Sequence, residues 1–142
     1  MDMKKEFLKI MVEATKIALA SSVDNVPNVR ILNFVYSKNE NVLYFQSRKG
    51  DQKEKEFEKN ENVAFTTIPE KGLSYVRANH ATIKKSKKTI FDIQYMFIEK
   101  MPYYKQLIEK DGNTMDLYEI RFLTAMVFPD PDKFEQIDLS QR

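Results

Sequence analysis

The sequence predicts a domain of the α+β class, mainly β, with about six antiparallel strands joined by tight turns and flanked by helices. Three observations predict it. Short runs rich in β-branched and aromatic residues alternate with turn-forming tetrapeptides. The three-and-four spacing of an amphipathic helix is confined to the N-terminus and to a stretch near residues 90–108. Strands joined by tight turns cannot form a parallel sheet, and closing them into a small barrel would remove exposed edges.

The elements follow in order. Phe7, Ile10, Met11, Ala14, Ile17 and Ala18 mark one helical face, which places a helix near residues 3–17. The turn-rich Asp24-Asn25-Val26-Pro27 separates the segment before Val23 from the run Asn28 to Tyr36, which makes a hairpin. A second turn at residues 38–41 leads to the strand Val42 to Ser47. Asp51 and Glu54 have the spacing of a capping box, so a short helix starts at Asp51 and ends near Lys59. Val63 to Ile68 and Leu73 to Ile83 read as strands around the turn at Pro69 to Gly72. Two short helices, broken at Pro102, follow the lysine-rich residues 84–88. Met115 to Phe128 contains the last strand, and Pro129-Asp130-Pro131-Asp132 bends the chain into a short tail.

Composition excludes several functions. The chain of 142 residues makes one domain, in which ~68% of the unfolded surface becomes buried. A net charge of +2 is too small for a nucleic-acid or membrane footprint. The absence of cysteine removes disulfides and thiol chemistry and fits a reducing compartment, hence a cytoplasmic protein. With one histidine, His80, and no spaced acidic cluster, no metal site is expected. His80 reads as a strand residue satisfied by a neighbour, and the lysines of residues 84–88 as a solvated loop.

Two places carry chemistry. Arg30 lies inside an otherwise apolar strand, where a charge costs desolvation unless it meets an anion or reaches water. The loop Ser47-Arg48-Lys49-Gly50-Asp51-Gln52-Lys53 feeds a helix N-terminus, where unpaired N–H groups and the helix dipole attract anions. A lysine in that first turn is poorly placed against the dipole, so Lys53 calls for an anionic partner. An exposed strand face for Arg30 and a solvated helix face for Lys53 are the bland alternatives.

The order of these elements, with Pro27-Asn28-Val29-Arg30, Leu43 to Ser47, Lys53 six residues later, then Phe57, Asn60 and Val63-Ala64-Phe65, resembles the FMN-binding proteins of the pyridoxamine 5'-phosphate oxidase-like family. The strand Tyr75-Val76-Arg77 and the helical insertion before Tyr118-Glu119-Ile120 extend the resemblance over nearly the whole chain. It implies a six-stranded antiparallel split β-barrel with flanking helices, one FMN-binding domain spanning residues 1–142. It implies that Arg30 and Lys53 bind the FMN phosphate with help from Ser47, with Gln52 standing where the family has an arginine beside that lysine. Backbone at Ile31, Leu32 and Asn33 would lie along the isoalloxazine ring, and Gln46 would approach it from the third strand. The cofactor would sit between the subunits of a homodimer, the partner contributing from the strand that holds Ser74, Tyr75 and Arg77.

Departures from the family pattern limit the activity implied. Val35 stands where the true oxidase has a substrate-binding lysine, and the arginine- and histidine-bearing C-terminal segment is not matched, so pyridoxamine phosphate is not the expected substrate. The resemblance implies an FMN-dependent oxidoreductase passing hydride to a small-molecule acceptor, with NAD(P)H as electron source. No catalytic side chain is identified. The alternative is a non-catalytic module that holds a flavin or a haem. A nucleic-acid-associated barrel is a third class, distinguished by salt-dependent oligonucleotide binding.

Overall fold

The computed structural model describes residues 1–140. Helix α1, Met3–Glu13, is capped by Asp2, whose side chain accepts from the Lys4 and Lys5 N–H groups. It stops short of the expected residue 17. Ile17 and Leu19 continue the apolar pattern from strand β1, Lys16–Val23, where period-two alternation turns them to the same core. Lys100 supplies the donor that the end of α1 lacks. Its Nζ donates to the carbonyls of Met11 and Phe34 and lies 3.7 Å from the Phe34 ring centre. Burial pushes its pKa down to about 7, against the pull of the Glu70 charge.

β1 pairs with β2, Val26–Asn33, through a two-residue turn in which Asp24 and Asn25 both have positive φ, a conformation these residue types tolerate. The chain continues through β3, Val35–Ser37, β4, Val42–Arg48, helix α2, Gln52–Lys59, and β5, Asn62–Thr67. β6 spans Tyr75–Lys85, and helices α3, Gln94–Lys100, and α4, Tyr104–Asp111, flank Pro102 as the sequence predicts. β7, Met115–Phe122, β8, Thr124–Asp130, and β9, Lys133–Asp138, complete the described chain.

The antiparallel α+β architecture matches the expectation, but the six-stranded split barrel does not. Nine strands form one sheet in the order β2-β1-β5-β6-β7-β4-β3, with β8 joined to β6 and β9 to β8. That path has two ends. Its terminal strands, β2 and β3, are neighbours in the chain and share no ladder among the described residues. Between them Phe34 is fully buried and its N–H donates to the Thr15 carbonyl, which interrupts pairing and leaves the sheet open. The extra strands have local causes. The expected last strand splits at Leu123, although β7 and β8 keep one register along β6, with Ala81 opposite Phe122 and Arg77 opposite Met126. The expected tail returns as β9, because Asp130 Oδ1 accepts from the Asp132 and Lys133 N–H groups and closes a turn.

Two apolar clusters sandwich the pair β4–β7. Leu43, Phe45, Tyr118 and Ile120 face the main core with α1 and β1. Val42, Tyr44, Met115 and Leu117 face a second core formed with α3 and α4. Phe122 belongs to the main core and packs against Phe7, Tyr36 and Phe65. Phe122→Ala should lower unfolding stability by about 3–5 kcal/mol, measured as a reduced urea midpoint with unchanged slope.

Candidate functional site

Arg30 sits on the inward face of β2, opposite Leu19 in the hairpin register. That placement brings an edge-strand guanidinium over α2. Its Nη1 donates to Ser21 Oγ at 2.9 Å, its Nη2 to Glu56 Oε1 at 3.0 Å, and its plane lies over the Phe57 ring at 5.5 Å. Asn28, directly opposite Ser21, donates its amide to the same carboxylate. Arginine, hydroxyl and amide thus form one cradle of donors around one anionic group. Glu56 is that group. Burial acts to raise its pKa, but the Ser21 hydroxyl, the Arg30 charge and the Asn28 amide together hold it below the ordinary value.

Lys53 enters from the first turn of α2. Gly50, with φ of +81°, turns the chain into that helix, and Asp51 caps it by accepting from the Lys53 N–H. The Lys53 ammonium lies 3.3 Å from the same Asp51 carboxylate. Asp51 is held below its ordinary pKa by the Lys53 N–H first, then by the Lys53 and Arg30 charges. The two cations singled out in the sequence both stand against α2, each matched by its own acid, Arg30 by Glu56 and Lys53 by Asp51. The donors of Arg30 and Asn28 fit a single anionic group, such as one end of a phosphorylated ligand. Gln52 is exposed beside Lys53.

Ser47 points elsewhere. It is buried at the base of α2, where its hydroxyl meets Glu54, not the two cations. Glu54 turns inward instead of closing the capping box with Asp51. It lies beside Asp116, and its Oε2 has no hydrogen-bond partner. Burial, and then the Asp116 carboxyl, raise its pKa. The cluster also raises the pKa of Tyr118, chiefly through burial.

Beyond the cradle, Asn33 and Gln46 converge on α4. Asn33 Nδ2 donates to the hydroxyls of Tyr103 and Tyr104 at 3.0 and 3.2 Å, and Gln46 also bonds the Tyr104 hydroxyl. Burial raises the Tyr104 pKa. Leu32 packs against the main core. Ile31, Tyr75 and Arg77 lie on the opposite, outward face. Ile31 continues laterally through Ala18 and Thr66 to Arg77, three strand spacings or about 14 Å away. Tyr75 stacks on Phe128, with the Arg77 guanidinium over the same ring.

Sequence reasoning missed Ser21, Asn28 and Glu56 as site residues. The available signal for Glu56 was its i+3 spacing from Lys53, which places both on neighbouring positions of one helix surface. His80 lies apart from this region, in a cavity of about 720 Å³ with Arg121, Phe122 and Leu123 among its lining residues. Among the described residues, no group of three or more His, Cys, Asp or Glu side chains could hold a metal, and no helix is long and apolar enough to cross a membrane.

A family model described as pyridoxamine 5'-phosphate oxidase-like matches residues 10–130. No curated protein matches the chain. Among solved structures, a NimC/NimA family protein from Clostridium acetobutylicum is similar at 18% identity and a TM-score of 0.62, covering 96% of this chain and 94% of that one. A haem-binding protein from Mycobacterium smegmatis has a TM-score of 0.77 at 7% identity, covering 97% of this chain and 58% of that one. An FAD-binding protein from Mesorhizobium loti has a TM-score of 0.62 at 17% identity, covering 86% of this chain and 89% of that one. These likenesses establish a shared fold.

The Glu54–Asp116 pair makes stability depend on pH with a definite sign. A carboxyl whose folded pKa is raised stabilises fully below the ordinary value of 4.5, and that contribution is lost as pH rises through the folded pKa. Glu54→Gln does not titrate. It should be more stable than the parent by about 1 kcal/mol at neutral pH, with the difference shrinking on acidification, measured by urea unfolding across that range.

Proposed function

The chain belongs to the pyridoxamine 5'-phosphate oxidase-like family, and on that premise we propose that it is a cofactor-binding module whose ligand is a flavin, FMN in the first instance. The observation that carries this reading is the pair of cations placed along α2, Arg30 on Glu56 and Lys53 on Asp51, with Ser21 and Asn28 beside Arg30. The phosphate end would lie at Arg30, Gln52 and Lys53, and Ser47 would support the loop from beneath. The ring would lie along the β2 backbone at Ile31, Leu32 and Asn33, its polar edge bounded by Gln46.

A flavin held here supplies hydride and electron transfer from its own ring. The chain's part is to orient the ring, satisfy its polar edge and exclude water, and no side chain has to act as acid or base. An FMN-dependent oxidoreductase with NAD(P)H as donor and a small-molecule acceptor is the finer form of this reading. Consumption of NAD(P)H separates it from a carrier that holds flavin without turnover.

A homodimer is part of the proposal. Val29 and Ile31 are 64% and 63% exposed on the outward face, beside the small side chains of Ala18, Ala20, Ala64 and Thr66. A face of small and apolar groups suits a second copy of the chain, which would bring its own Tyr75 and Arg77 towards the ligand. Haem is the second reading. It is favoured by the presence of the single imidazole, His80, in one cavity with the Arg121 guanidinium, since imidazole is a common axial ligand of haem iron.

The visible absorption spectrum of the purified protein, before and after loading with FMN or haem and gel filtration, distinguishes the readings. Retained flavin near one per subunit is expected. Lys53→Ala should weaken FMN binding by ~10–150-fold through loss of a charged hydrogen bond, and Arg30→Ala should weaken it less, because that guanidinium must first release Glu56. Unchanged affinity in both folded variants would remove this site, and retained haem that His80→Ala abolishes would favour the second reading.

A further inference from the structure

Glu56 is the one member of the cradle that a phosphate-binding role leaves unexplained. Its Oε1 accepts from Arg30 Nη2 and Ser21 Oγ, each at 3.0 Å, and Asn28 Nδ2 lies 3.2 Å from Oε2. The Arg30 and Glu56 side chains are each only 16% exposed, so the pair is substantially removed from water. Donors arranged for a carboxylate also suit a phosphate or sulfate, because both anions present oxygens with matching lone pairs to a planar guanidinium. Two anions cannot share that cradle, since like charges at contact repel strongly where the dielectric is low.

The second cation is held differently. Lys53 is paired at 3.3 Å with an Asp51 carboxylate that is 41% exposed. The Lys53 side chain is itself 14% exposed, so an incoming anion meets it beside the more open Asp51, but it reaches Arg30 only in place of Glu56. The backbone anchors that carboxylate from the second turn of α2, beyond the Asp51 cap, so the helix N-terminus does not hold it there. Its hold comes from the cradle alone.

We infer that Glu56 is a resident competitor in the Arg30 cradle, so that a phosphate-bearing ligand binds by exchange with it and Glu56 sets the selectivity between phosphorylated and unphosphorylated flavins. The flavin part of this statement rests on the function proposed above, whereas the exchange itself concerns only the cradle and an anion. With Glu56 in place, FMN gains little over riboflavin. With its charge removed, the cradle rewards the phosphate.

The test titrates sodium sulfate, which stays dianionic across the working range, into the wild type, Glu56→Gln and Glu56→Ala, following the Arg30 guanidinium resonance by NMR. Half-saturation should fall by ~10-fold or more in both variants. In the wild type, the Glu56 side-chain carboxyl resonance should move towards that of a free glutamate as sulfate saturates, a readout that needs no variant to fold. Equal sulfate affinity in all three proteins, or a Glu56 resonance unmoved at saturation, overturns the inference. FMN and riboflavin are then titrated into the same proteins. Tight FMN binding that Glu56→Gln leaves unchanged overturns the inference and leaves the flavin reading standing. Sulfate binding that tightens in Glu56→Gln without any flavin binding supports the exchange and removes the flavin reading.

Discussion

The burial of β4 and β7 on both faces is the constraint from which the rest of the structure is built. A strand pair covered on one side only would show apolar residues at alternate positions, but Val42 to Phe45 and Met115 to Ile120 are buried without interruption. One face needs the curled sheet with α1 against it, and the other needs α3 and α4. The helical insertion is therefore a structural requirement of the strand pair, and it carries Tyr103 and Tyr104 to Asn33. α2 leaves directly from the end of β4, so the packing that fixes β4 also fixes where Lys53 and Glu56 can reach.

Charge compensation decides the character of the site built on that frame. Arg30, Lys53, Asp51 and Glu56 are two cations and two anions in one neighbourhood, and they leave it near neutral. Such a site does not attract an anion through net field. An anion held there would be recognised through the directions of the donors, which is the more selective and the less forceful of the two devices. The inward carboxyls behind α2 work in the opposite sense. Burial, and then the hydrogen bond and the charge of the neighbouring Asp116 carboxyl, raise the Glu54 pKa.

Much of this was legible in the sequence, and what was not has definite causes. The helix starts, the hairpin at Asp24-Asn25 and the break at Pro102 follow from local chemistry, so they could be read locally. Arg30 and Lys53 were conspicuous because each was costly where it stood. Ser21 was not, since its place opposite Asn28 depends on a hairpin register that one residue of slip would invert. Glu56 looked like any acid on a Lys/Glu-rich helix, and only the packing of α2 on the hairpin turns it inward. The break at Leu123 carries no turn residue, and β9 was concealed behind a Pro-Asp repeat that reads as the start of a tail. The open sheet was hidden for a related reason: whether β2 and β3 pair depends on Phe34 seeking the core, a tertiary event that no local pattern reports.

The near-neutral cradle also bears on where binding energy must come from. If a phosphate replaces Glu56, charge-assisted hydrogen bonds are broken and remade in the same place, and the net gain is the difference between two similar sets. Each set is worth ~1.5–3 kcal/mol per bond, whereas the difference between them is a fraction of that. The Glu56 carboxylate is repaid by water when it leaves, but the phosphate is stripped of its own water as it enters. Affinity must then rest mainly on burying the flat, largely apolar body of the ligand, for which ~25 cal/mol per Å² is available before ordering costs. A single chain offers little enclosure beside β2, because Val29 and Ile31 stand in the open. A second copy against that face would supply the missing wall, so in this protein tight ligand binding and subunit association are expected to draw on the same surface.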